Sequence, residues 1–145
     1  MYILCGCTYS EICIVNSVAG FREMGDIMLS FDKYAKFQSS DTSIFSGELS
    51  FLDEILLLKP DDNKLGDSLK ISILNKSLIF TGNKIAMQQI GQSLLAFFDD
   101  SSQEGEHIHF NYDEDDFCIT SPHDFKLVLM YKASRVGTAH EPNPS

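Results

Sequence analysis

Leu69, Ile71 and Ile73 alternate with Lys70 and Ser72, the period of two that a half-buried β-strand imposes on its side chains. Asn75-Lys76 then supplies a turn into a second apolar run, Leu78-Ile79-Phe80, so a hairpin is expected here. Thr81-Gly82-Asn83 ends the hairpin, and the Asn83 side-chain oxygen is placed to cap a following helix. That helix, over about residues 84–99, sets Met87, Ile90, Leu94, Phe97 and Phe98 on one stripe. Upstream, 2–8 and 11–15 are rich in β-branched, aromatic and Cys residues and read as strands. Asn16 or Ser17 can cap a helix running to about Lys36, with Val18, Phe21, Gly25, Met28 and Phe31 or Asp32 at three- and four-residue spacing; Gly20 and Gly25 weaken it. Residues 44–58 fit either an extended segment or a short helix from Ser50 to Leu58, with Ile55-Leu56-Leu57-Leu58 buried in both cases. Turn formers fill 60–66, the place for a hinge or a domain edge. Strands are expected over 107–112, 117–120 and 125–131, separated by polar turns at 113–116 and 121–124. The pattern predicts one α+β domain over 1–132, a mainly antiparallel sheet packed against one or two amphipathic helices, with a flexible tail over 133–145. No internal repeat is apparent.

Composition makes the fold affordable: 43% of the 145 residues are hydrophobic, 11 of them Phe, enough for one core. No apolar run is long enough to span a bilayer and residues 1–10 lack the features of a signal peptide, so a cytoplasmic location is expected. Cys5, Cys7, Cys13 and Cys118 follow neither a zinc nor a redox spacing and are read as reduced thiols. The net charge of −10 argues against nucleic acid and anionic membrane as partners. Its distribution matters more. Between Asp99 and Asp124 lie nine acids (Asp99, Asp100, Glu104, Glu106, Asp113, Glu114, Asp115, Asp116, Asp124) and no Lys or Arg, whereas the remainder has 12 acids against 11 bases. A single-sign segment of this kind reads as a surface aimed at something positive, a merely solvated acidic face being the commoner explanation of acidic runs.

His107 and His109, two apart on an expected strand, project from one face, the geometry by which a β-scaffold gathers two metal ligands. His123 and the 113–116 carboxylates would have to complete such a shell, and a metal-binding protein or metal-dependent enzyme built on this strand is the alternative reading. With Ile108 and Phe110 facing the core, the two imidazoles face solvent or a partner. The chain carries no Gly-x-Ser-x-Gly, Walker loop, G-x-G-x-x-G or H-E-x-x-H, so no catalytic residue, cofactor or enzymatic activity is expected from motif. A third reading, an adaptor subunit, would use an apolar interface, with Ile55–Leu58 as its core.

The order Thr81-Gly82-Asn83, apolar helix, polar loop, Gly105-Glu106-His107-Ile108-His109-Phe110 and closing strand, over residues 69–131, resembles the Imm32 type of immunity protein from bacterial polymorphic toxin systems. The resemblance implies a small cytoplasmic inhibitor that binds and neutralises a cognate toxin domain, with the histidines marking the family's strand and no catalysis implied. Many such toxin domains are nucleases with basic substrate surfaces, which an acidic patch matches as a phosphate mimic. The expected partner-binding residues are Asp113, Glu114, Asp115 and Asp116, with Glu104, Glu106, His107 and His109.

Overall fold

A computed structural model describes residues 1–5, 11–41, 50–110 and 126–133. Its elements are β1 (Tyr2–Cys5), β2 (Glu11–Asn16), α1 (Val18–Leu29), β3 (Tyr34–Gln38), β4 (Ser50–Leu52), β5 (Glu54–Leu58), β6 (Lys70–Leu74), β7 (Ser77–Thr81), α2 (Lys84–Phe97), β8 (His107–His109) and β9 (Lys126–Tyr131). The fold is α+β, as the periodicity predicts, but the strands divide into two sheets: sheet A, in the order β4-β1-β2-β9-β8, and sheet B, in the order β3-β5-β7-β6. All neighbours are antiparallel except one central parallel pair in each sheet, β2 with β9 and β5 with β7.

The two sheets are built alike. In sheet A a hairpin (β1-β2) feeds α1; in sheet B a hairpin (β6-β7) feeds α2. The antiparallel pair after α1 (β3, β5) joins β7 in sheet B, and the pair after α2 (β8, β9) joins β2 in sheet A. Each half of the chain thus completes the other's sheet. The caps Ser17 and Asn83 and the buried positions Phe21 and Met87, Met24 and Ile90, Gly25 and Gly91, Met28 and Leu94 correspond at one constant spacing along the chain. The expectation of no internal repeat is corrected accordingly. The repetition is of burial and topology, and identities within most pairs differ, so it leaves little trace in sequence.

The core is continuous across both halves, with Ile3, Ile12, Ile14, Phe21, Leu127 and Leu129 in one cluster with Ile55, Leu57, Leu78, Phe80, Met87 and Leu94. The helices meet at Gly25 and Gly91, where a Cβ on Gly91 would lie 2.7 Å from the Gly25 carbonyl oxygen. The two glycines that weaken α1 by propensity therefore include one that the helix crossing requires.

Three expectations change. α1 stops at Leu29, with the Ser30 N–H donating to the Asp26 and Ile27 carbonyls and the Phe31 N–H to the Met28 carbonyl, and Lys36 belongs to β3. Helix spacing past Leu29 was misleading because Phe31, though buried, reaches the core from the connection. Residues 50–58 are two strands and no helix; of the expected buried tetrad, Ile55 and Leu57 face the core while Leu56 and Leu58 are partly exposed. In α2, Phe97 is 39% exposed, whereas Phe98, just past the helix, is fully buried and stacks on Phe21 with centroids 4.3 Å apart. The 60–66 turns hold their own bonds, from Gly66 N–H to the Asn63 carbonyl and from Lys64 N–H to Asp62 Oδ1, and Asn83 Nδ2 donates to the Gly66 carbonyl and Asp67 Oδ1.

Candidate functional site: the end of α2 and the histidine strand

The acid-only stretch begins where α2 ends. Arg22 of α1 donates to the Leu95 and Phe98 carbonyls at 2.9 and 2.6 Å, satisfying acceptors that a helix C-terminus leaves open. This fixes the chain's exit toward Asp99 and Asp100. Asp99 Oδ1 accepts from the Ser101 hydroxyl at 2.6 Å and from the Ser101 N–H at 2.8 Å, and the Asp99 N–H donates to the Ser102 hydroxyl. The two Ser101 bonds, side chain first, hold the Asp99 carboxyl below the usual aspartate range, with the Arg22 charge adding in the same direction.

Glu106 Oε1 accepts from the Gln103 N–H at 2.9 Å, and Glu104 Oε2 accepts from the Ala133 N–H after β9. Gly105 adopts φ 89°, a left-handed conformation that glycine enters without penalty, and its N–H donates to the Tyr131 carbonyl. Both glutamates are exposed. They therefore turn the chain into β8 with both carboxylates at the surface.

In β8 the alternation holds: Ile108 and Phe110 pack against the core, and His107 and His109 are exposed. Their rings lie 5.0 Å apart, edge to face. The Gly105 carbonyl can only accept, so His107 Nδ1 carries the proton of their 3.0 Å bond. β8 is the terminal described strand of sheet A, bonded to β9 on one side.

The structure thus brings Glu104, Glu106, His107 and His109 together on one loop and edge strand. Asp113, Glu114, Asp115, Asp116, His123, Cys7 and Cys118 lie outside the described residues. Among the described residues no three His, Cys, Asp or Glu side chains cluster as a metal site would require. Cys5 and Cys13 are free and partly buried, and burial pushes both thiols up, helped at Cys13 by the Glu11 charge. A groove of about 340 Å³ beside α1 and β3, lined by Asn16, Glu23, Met24, Ile27, Lys36 and Phe37, sets no nucleophile beside a base. No helix of the described residues is long and apolar enough to cross a membrane.

Arg22 was missed by sequence reading, since nothing local marks a side chain that caps a helix in the other half of the chain. A second omission, the outer face of sheet A, did have a signal. Tyr2-Ile3-Leu4 and Cys13-Ile14-Val15 are apolar at every position, which marks strands with apolar neighbours on both faces. Set against known proteins, the chain matches no family model, no curated protein and no solved structure. The likeness to the immunity family therefore stands on its short motifs alone.

Proposed function

We propose that the protein is an immunity-type inhibitor that binds a basic partner, such as a cognate toxin domain with a nucleic-acid-binding surface, through its acidic surface, with no catalytic step of its own. The observation that carries this reading is charge segregation. Nine acids and no Lys or Arg fall between Asp99 and Asp124, and the described part of that stretch is exposed on a loop and edge strand held by backbone bonds. Opposite charge accelerates encounter and does so less as salt rises. Glu104 and Glu106, prepositioned beside His107 and His109, would form one side of the contact, and Asp113, Glu114, Asp115 and Asp116 the remainder.

The test is affinity capture with the tagged chain, eluted by a salt gradient, followed by association kinetics with the recovered partner. A single stoichiometric basic protein is expected. Replacing Asp113, Glu114, Asp115 and Asp116 with Asn or Gln should slow its association about tenfold at low salt and flatten the salt dependence. Kinetics that do not change on replacement remove the acidic surface from the binding reaction.

A further inference from the structure

Strand β3 lies at one side of sheet B, where among the described residues it is bonded to β5 alone. The bonds at its two ends fix which way its backbone points. The Ser39 N–H donates to the Asp53 carbonyl and the Lys59 N–H to the Lys33 carbonyl, both at 3.0 Å. In an antiparallel ladder such bonds bracket residues that do not bond to each other. The pairs Tyr34 with Leu58, Lys36 with Leu56 and Gln38 with Glu54 therefore turn their N–H and C=O groups away from the partner strand. Ala35 and Phe37 make the ladder bonds to β5, whereas Tyr34, Lys36 and Gln38 present theirs outward, and among the described residues nothing takes them up. The next residue in that series shows what this edge accepts, because Ser40 donates its N–H to the Met1 carbonyl at 2.8 Å.

The groove of about 340 Å³ runs along this edge. Lys36, Phe37 and Gln38 line it from β3, and Glu23, Met24 and Ile27 line it from one face of α1. Met24 is buried and Phe37 packs on the core, so the lining is apolar at depth, while Glu23, Lys36 and Gln38 are exposed. Lys36 Nζ lies 3.9 Å from Glu54 Oε1, on the face of sheet B turned away from the core.

We propose that the β3 edge and this groove bind an extended peptide segment of a partner protein, which adds to sheet B as a further strand. Outward backbone groups spaced two residues apart are matched by another extended backbone. The residue opposite Lys36 then carries its side chain on the Lys36 face, and its two neighbours point to the Phe37 face and into the groove. Apolar neighbours suit Met24, Ile27 and Phe37, and Glu23 disfavours an acid among them. Lys36 favours an acid opposite itself, so the segment reads apolar–acidic–apolar. A second copy of β3 fits worse. Paired about Lys36 it sets like charges opposite each other, and a lysine in mid-edge is a common device against such self-pairing. Met1, bonded at Ser40, stops the added strand at about Gln38. The site uses none of the acid-only stretch and is independent of the acidic surface.

The experiment probes an array of capped heptapeptides, with Leu or Val on either side of a varied central residue, with the full chain. Peptides with a central Asp or Glu are expected to bind best. Amide hydrogen exchange read by NMR is the second measurement. In the dilute free chain the Ala35 and Phe37 amides should be protected while those of Lys36 and Gln38 exchange fast, and the best peptide should slow the latter two at least about tenfold. Lys36→Glu should move the preference to a central Lys or Arg. Gln38→Pro, which removes an outward N–H and no ladder bond, should weaken binding at least about tenfold while far-UV circular dichroism shows the fold retained. An array that binds nothing, or a preference unmoved in Lys36→Glu, would overturn the proposal. So would protection of Lys36 and Gln38 without peptide: in the dilute chain it would mean that the chain covers this edge itself, and on raising the concentration that a second copy does.

Discussion

Gly91→Ala tests whether the two halves are locked at the helix crossing. The added Cβ would stand 2.7 Å from the Gly25 carbonyl oxygen, 3.0 Å from Met28 Cβ and 3.2 Å from the Leu29 nitrogen, where ordinary contact begins at 3.4 Å. Two of these three neighbours are backbone atoms that cannot swing aside, so α1 and α2 must separate by several tenths of an ångström. That separation loosens the stripe of Phe21, Met24 and Met28 in α1 and Met87, Ile90 and Leu94 in α2, all buried. Overpacking of this kind costs about 1–3 kcal/mol. Against it stands the higher helix propensity of Ala, worth about 1 kcal/mol in an unconstrained helix interior. With backbone on the receiving side the steric term should prevail, leaving a net loss of about 1–2 kcal/mol. Urea unfolding followed by far-UV circular dichroism reads this as a lower midpoint at unchanged slope. Gly25→Ala meets Leu95 Cγ at 2.9 Å and the Gly91 carbonyl oxygen at 3.0 Å, so it should also destabilise, by less than Gly91→Ala because its closest backbone neighbour is farther off. A Gly91→Ala protein more stable than wild type would mean that the helices do not approach this closely.

Four further outcomes follow from single contacts. Asn83→Ala removes the acceptor for the Ala86 N–H and both Nδ2 bonds to the 66–67 turn, and urea unfolding should show a loss of about 1–2 kcal/mol, with Asn83→Ser recovering part of it. Arg22→Met keeps the aliphatic stem but leaves the Leu95 and Phe98 carbonyls open, for an expected loss of about 1–3 kcal/mol in the same assay. The lowered Asp99 pKa means that the Ser101 contact favours the folded state above the ordinary aspartate range and is lost as pH falls through the lowered value; in Ser101→Ala the Asp99 titration seen by NMR should move up toward the ordinary range, and an unmoved titration would refute the assignment. Finally, a protease site inserted between Asp62 and Asn63, both exposed, should yield a nicked protein whose two pieces co-elute in native chromatography and part only in denaturant, because β2 pairs with β9 and β5 with β7 across the cut.

Elements with a strong local signal were legible in the sequence. The β6-β7 hairpin, the Asn83 cap, α2 and the alternation of β8 follow from periodicity and turn chemistry within a few residues, and they occur where expected. The C-terminus of α1 was not, because no Gly or Pro follows Leu29 and the buried Phe31 extends the helical spacing beyond the helix. The parallel pairings were also hidden, since the partner of β2 lies at the far end of the chain, and neither run's composition specifies the other. Of the candidate site, the exposure of His107 and His109 followed from the alternation alone. The bonds that orient Glu104 toward Ala133, and Arg22 toward the end of α2, depend on tertiary placement that no local pattern encodes.

The exchange of strand pairs between the halves bears on why the charge can be so unevenly spread. Neither sheet is complete within one half: sheet A needs β8 and β9, and sheet B needs β3 and β5. The hydrophobic cluster that joins them draws on both halves and uses the core face of every strand in the two central parallel pairs. Stability therefore resides in positions repeated along the chain, and the outer faces and loops are free to differ between repeats at little cost to the fold. Sheet B has kept Lys70, Ser72 and Lys36 on its outer face, sheet A has Tyr2, Leu4 and His109 there, and the connection that follows α2 carries acids without a base. A one-sign loop disfavours the compact state through self-repulsion, which the shared core has to offset. A scaffold whose stability rests on repeated core positions can therefore carry an acid-only connection beside one sheet without loss of the fold.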